Sequence, residues 1–355
     1  MADKSPEKPK NRFYYIDFLR ALAIFAVIIL HNSADAAGQY GKIPETDWLS
    51  AAFYNGLTRC CVPMFVLLSG ALLLKPDRDV TIKELFRKRL PKLVIPLVVW
   101  SIIYEAFQFY TDKGYGTFNL LSALKTFYQG PLVFHFWFLY MMIGIYLVYP
   151  IINTFIRAAT KSQVQYFIAV WFITNCVCGI IGIATGLSIA VELNFFTGYI
   201  GYFVLGYYIN NYIFTAPQLK LIYAGCAFAF VVSISGIILL QTFRDKGFNE
   251  IIESDFTPDI PFALAGVFLL IKNRTFNLNP TWWQKLVTEI SAESYGIYIV
   301  HVLFLRLLFD KIYLNLAFKN QSLLWIVPVK SIAVLGLSYG LTKLIRLVPW
   351  LRMTV

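Results

Sequence analysis

Charge is scarce in this chain. Of its 355 residues only 14% are charged, against 58% hydrophobic and 17% aromatic. A soluble domain carries about a quarter charged residues, so the shortage excludes an ordinary soluble globular protein. Histidine is rarer still, with three residues: His31, His135 and His301. Acidic residues number 20 against 31 basic ones, a net charge of +11. That excess is no nucleic-acid signature, because most of it sits in the N-terminal tail and one short loop, where membrane topology accounts for it. There is no GxxxxGK[ST] phosphate loop and no HExxH zinc motif. The five cysteines, Cys60, Cys61, Cys176, Cys178 and Cys226, lie in apolar segments without zinc-ligand spacing. They read as reduced core residues, and no metal is expected.

What the chain does have is long apolar runs. They predict an all-α, polytopic membrane bundle of about ten spans: 15–35, 51–74, 93–110, 131–156, 163–186, 193–214, 219–241, 260–272, 289–312 and 322–346. Residues 1–12 read as a disordered cytoplasmic tail, and 13–355 as one transmembrane domain. The first span lacks a small-residue cleavage site, so it is not expected to be a removable signal peptide. The most basic loop, 75–92, is cytoplasmic by the positive-inside rule, and the acidic loop 242–259 is outside. An even number of spans with basic ends leaves both termini in the cytoplasm.

The first span, YIDFLRALAIFAVIILHNSAD, carries Asp17, Arg20, His31 and Asp35. At 100° per residue these fall within an arc of about 60°, over about 27 Å of helix. Ionisable groups at membrane depth are costly and rarely face lipid, so this stripe must line a protein interior or a wet cavity. His31 is the strongest candidate base, with Asp35 one turn on to orient it and Arg20 on the same face. All three histidines fall in or beside spans, which favours function over isolated structural hydrogen bonds. Arg59, at the outer end of the second span, either pairs with an acid of the first helix or snorkels. Glu105 lies inside the third span. Pro63 and Gly70 allow the second span to kink or to be approached closely. The cations of 83–92 either fix topology, bind anionic lipid heads, or receive a phosphorylated ligand.

Five pieces of the chain, in order, resemble the membrane-bound acyltransferase-3 family. They are Arg20, ten residues and His31 in IDFLRALAIFAVIILH; VPMFVLLSGALL, ending its motif at Ser69 and Gly70; FRKRLPKLVIPLVVW; FHFWFLYMMIGIYLVYPII; and ISAESYGIYIVHVL. The third piece places Lys92 where the family's RxxR motif has its second Arg, keeping charge but losing the bidentate fork. The resemblance spans about residues 14–305, and within the family it is nearest the common-antigen and exopolysaccharide O-acetyltransferases.

The resemblance implies an acetyl-CoA-dependent O-acetyltransferase in a bacterial inner membrane. It would acylate a hydroxyl of a surface or secreted polysaccharide, or of its lipid-linked precursor. His31 would be general base or acyl carrier, with Asp35, Arg20 and Asp17 supporting it. Arg87, Lys88, Arg89 and Lys92 would hold CoA. His135, Trp137, Glu105, Arg59, Tyr295 and His301 would contact the acceptor. Membrane lipid is a partner and nucleic acid is not; a homo-oligomer stays open. The rivals are a flippase for an anionic lipid-linked substrate, and an acyltransferase using succinyl-CoA or a non-glycan acceptor.

Overall fold

The computed structural model describes residues 14–75, 81–111, 127–186, 198–243, 254–274, 281–306 and 321–355. The expected tail 1–12 lies outside these residues, as do most of the outer loop 111–130 and the end of the span predicted at 289–312. Among the described residues every regular element is a helix, with no strand. In lipid a backbone must satisfy its own hydrogen bonds, and uninterrupted apolar runs do so as helices.

In chain order the helices are α1 (Tyr14–Ala37), α2 (Glu45–Thr58), α3 (Cys61–Leu73), α4 (Ile82–Glu84), α5 (Pro91–Thr111), α6 (Trp137–Ala158), α7 (Lys161–Trp171) and α8 (Cys178–Thr185). They continue with α9 (Ile200–Asn211), α10 (Ala216–Phe243), α11 (Asp259–Lys272), α12 (Trp282–Leu305) and α13 (Leu323–Leu347). A π-helical stretch, Leu85–Arg89, joins α4 to α5, and another, Phe172–Val177, joins α7 to α8.

Among the described residues, seven helical stretches are long and apolar enough to cross a membrane: α1, α2 with α3, the stretch from α4 into α5, α6, α7 with α8, α10 and α13. The other three predicted spans coincide with helices outside that set. α9 and α11 have 12 and 14 residues, and the 24-residue α12 is made polar by its glutamates, serines and His301.

The second span is two helices. α2 ends at Thr58 and α3 begins at Cys61. Pro63 has no N–H to give the Arg59 carbonyl four residues back, and its ring would collide with that carbonyl, so the chain breaks at Arg59–Cys60.

α1 is the hub, packing against α2, α3, α11, α12 and α13. Leu19, Ile24, Val27 and Ile28 are buried in these contacts. Its polar face meets α12 and α13: Ser291 donates to Asp17 Oδ1 at 2.7 Å, and Asn32 Nδ2 donates to Ser331 Oγ at 2.8 Å. α3 and α9 cross backbone to backbone. A Cβ on Gly70 would lie 1.7 Å from the Phe203 carbonyl oxygen, and one on Gly206 would lie 1.9 Å from that of Leu67.

Candidate active site

Three elements distant in sequence bring all three histidines together. His31 projects from α1, His135 from a 3₁₀ turn (Phe134–Phe136) leading into α6, and His301 from α12. The His31 and His135 ring centroids each lie 5.3 Å from that of His301. His301 and His135 are 0% and 2% exposed, whereas His31 is half-buried. Phe134 packs edge-on against His31 at 5.2 Å. Among the described residues no group of three metal-ligating side chains is placed to hold an ion.

Backbone carbonyls assign the tautomers, because a carbonyl only accepts. His301 Nδ1 lies 2.6 Å from the Tyr298 carbonyl oxygen, so it carries the hydrogen and leaves Nε2 bare. His135 Nε2 faces the Ile299 carbonyl oxygen at 3.4 Å, leaving Nδ1 bare. Both bare nitrogens are buried with no hydrogen-bond partner among the described residues.

Two tyrosines fix this geometry. The Tyr298 hydroxyl donates to the His135 carbonyl, tying the 3₁₀ turn to α12. The Tyr104 hydroxyl donates to the Ile299 carbonyl at 2.9 Å and accepts from the Leu303 N–H at 3.0 Å, bracketing His301. Tyr104→Phe is therefore expected to destabilise the fold by about 1–3 kcal/mol. A thermal melt in detergent that matched wild type would show the hydroxyl to be dispensable.

Below the histidines lies a cavity of about 250 Å³ lined by Arg20, Ser69, Ser291, Tyr146, Tyr295 and Tyr298 among others. Tyr298 separates it from the trio, with its ring 5.6 Å from His135 and 5.9 Å from His301. The Tyr295 hydroxyl is buried and has no hydrogen-bond partner among the described residues. Leu93, Tyr146 and Tyr295 also line a second, larger cavity of about 720 Å³. Its remaining walls carry five cations, Arg87, Lys88, Lys92, Arg346 and Arg352, and no acidic side chain among the described residues. The local fold explains the convergence. Thr81 caps α4 by accepting from the Glu84 N–H at 3.1 Å, and the π stretch then delivers Arg87 and Lys88. Trp100 Nε1 donates to the Thr354 carbonyl at 2.7 Å, holding the C-terminal turn against α5. Arg352 Nε donates to the Arg346 carbonyl at 2.8 Å, and Arg346 pairs with Glu293 at 3.0 Å.

The other predicted residues are placed as follows. Asp17 and Arg20 face α12, as the stripe required. Asp35 is exposed and makes no hydrogen bond to His31 among the described residues. Arg89 does not line the cationic cavity; its guanidinium lies over the Tyr149 ring at 5.9 Å. Arg59 turns away from α1, donating to the Ser254 carbonyl at 2.7 Å and lining a separate cavity between α10 and α11. Glu105 is half-buried next to Tyr104, and Trp137 packs on Tyr199 at 5.6 Å rather than on the histidines. Sequence reasoning missed Arg346, Arg352, Tyr104, Tyr146 and Tyr298. Only Tyr298 left a signal, lying three residues before His301 on the same helix face.

No curated protein and no solved structure matches the chain significantly. A family model described as "Acyltransferase domain" matches residues 13–343. That match covers nearly the whole chain, including the helices that carry the histidine trio and most of the cationic wall, and the protein belongs to the acyltransferase-3 family of membrane acyltransferases.

Proposed function

We propose that the protein transfers an acetyl group from cytoplasmic acetyl-CoA to a hydroxyl of a surface or secreted polysaccharide, or of its lipid-linked precursor. The observation that carries this reading is the cavity of five cations sharing three residues with an inner cavity that ends at Tyr298, against the histidines. CoA is a large polyanion with a long, thin, nearly neutral arm. A wall of Arg and Lys without acidic side chains suits its phosphates, and the smaller inner chamber suits its arm. His31 then acts as general base toward the acceptor hydroxyl or as acyl carrier. Arg20 faces the inner chamber, where it can stabilise negative charge, and Asp17 offsets the cost of a cation at that depth.

On this reading α9, α11 and α12 join the seven long apolar helices to make ten crossings of a bacterial inner membrane. Both termini, and the cations, then sit on the cytoplasmic side with the donor. The resemblance of its motifs to the O-acetyltransferase subgroup supports a glycan acceptor.

The test is release of free CoA from acetyl-CoA by the protein in nanodiscs, with and without a membrane glycan extract. Extract-dependent release is the expected result; translocation of a lipid-linked substrate without need of CoA would sink the proposal. Lys92→Ala and Arg352→Ala are each expected to raise KM for acetyl-CoA about tenfold, the value of one charge-assisted contact. Their kcat should stay near wild type, and the KM penalty should shrink as salt screens the pocket. A fall in kcat at unchanged KM would move these residues out of the donor site.

A further inference from the structure

The trio contains two buried ring nitrogens that can only accept, Nε2 of His301 and Nδ1 of His135, and neither has a donor among the described residues. An unmet buried acceptor costs about 1–3 kcal/mol, so a fold that keeps two of them within one cluster is awaiting a proton or a donor. His31 is the member that a substrate can reach, being half-buried where the others are closed off. The His31 and His301 centroids are 5.3 Å apart with the rings 28° from parallel. The rings are stacked and no hydrogen bond joins them, so the bare Nε2 of His301 beside His31 stays open to an N–H that turns toward it. Asp35 is exposed and cannot shield or orient a proton at His31 in this way.

We infer that His301 is the positioning partner of His31, its bare Nε2 accepting a hydrogen bond from the His31 ring nitrogen that faces away from the acceptor. The inference rests on the acyl-transfer reading above. In the step itself, the acceptor O–H bond breaks and its proton passes to His31. The hydroxyl oxygen bonds to the thioester carbonyl carbon and the C–S bond breaks. The leaving CoA thiolate then takes the proton back, giving an ester and a free thiol. While His31 holds the proton on the nitrogen that faces the acceptor, the N–H on its other nitrogen donates to His301 Nε2. The Tyr298 carbonyl keeps the hydrogen of His301 on Nδ1, so that Nε2 stays an acceptor throughout. Tyr104 and Tyr298 hold the turn that carries the ring.

The experiment compares CoA release from acetyl-CoA by the full chain in nanodiscs for wild type, His301→Gln, His301→Leu and Asp35→Asn. Gln offers an acceptor oxygen at similar reach, and Leu offers none. His301→Leu is expected to lower kcat about 100-fold, the lower end of what a base partner contributes, with KM for acetyl-CoA within about twofold. His301→Gln should recover about tenfold of that loss while raising the solvent deuterium isotope effect on kcat. Asp35→Asn should stay within about twofold of wild type. If the Leu variant fails to fold, the Gln variant carries the test through its kcat and isotope effect. Gln and Leu variants that both match wild type would overturn the partnership while leaving acyl transfer intact, as would a loss confined to KM or a fall on Asp35→Asn alone. A wild type that releases no CoA overturns both readings.

Discussion

His31→Ala is expected to lower acyl transfer by about a thousandfold or more while acetyl-CoA still binds. General-base catalysis contributes about 10²–10⁴-fold, and no other member of the trio can take over. His135 and His301 are closed to solvent, their bonded nitrogens held by the carbonyls of Ile299 and Tyr298. Donor binding should survive, because the cations of the large cavity sit on the π stretch, the start of α5 and the C-terminal end of α13 and the turn beyond it. Equilibrium binding of labelled acetyl-CoA and single-turnover transfer, measured on the same preparation, check the two halves separately. A variant that keeps more than a tenth of wild-type transfer would remove His31 from the chemistry. A variant that loses binding as well would place the thioester, rather than the proton, at that residue.

Gly206→Val is expected to abolish most folded protein. The added Cβ would start 1.9 Å from the Leu67 carbonyl oxygen, with that residue's carbonyl carbon and Cα close behind. The obstacle is backbone, so no side-chain rotation relieves it, and α3 and α9 must separate. Gly70 faces the same crossing from the other side, 1.7 Å from the Phe203 carbonyl oxygen. Overpacked cores typically lose about 1–3 kcal/mol, and a clash with two backbones belongs at or beyond the top of that range. In membranes close approach also supplies much of the helix–helix attraction. A loss of the monodisperse peak in detergent chromatography, or a melting midpoint lower by about 5 °C or more, is the expected reading. Gly336→Ala is the control, since a Cβ there meets nothing within 4 Å. If Gly206→Val and the control behaved alike, the crossing would be looser than it is drawn.

The apolar runs and the α1 stripe were legible because both are local periodicities. Asp17, Arg20 and His31 share a helix face by arithmetic, and that face turned out to be the one packed on α12. The meeting of His31 with His135 and His301 was not legible: spacing along a chain says nothing about which helices become neighbours. Sequence proximity misled for Asp35. It lies one turn beyond His31 on the correct face, but near the helix end, where α1 emerges from its neighbours. Arg59 was misjudged similarly, because the break at Pro63 redirects α2 toward the loop that carries Ser254 and Asp255. Arg346 and Arg352 looked like topology charges. The positive-inside rule assigns a side of the membrane but no depth, and only the docking of the C-terminal turn through Trp100 shows that they face a cavity.

α12 has a consequence for how the molecule is made. It is as long as α1, yet Glu289, Glu293, His301 and its serines leave it too polar to partition into lipid by itself. Its polar groups are answered by neighbours synthesised at opposite ends of the chain. Asp17 of α1 takes Ser291, while Lys343 and Arg346 of α13 take Glu289 and Glu293. On the ten-crossing reading, a nascent chain that has reached residue 305 therefore holds a helix too polar to be released into lipid by itself. Integration must wait until the final helix has emerged, so truncation within α13 would strand α12 and expose the nascent protein to quality control before any catalytic defect arose.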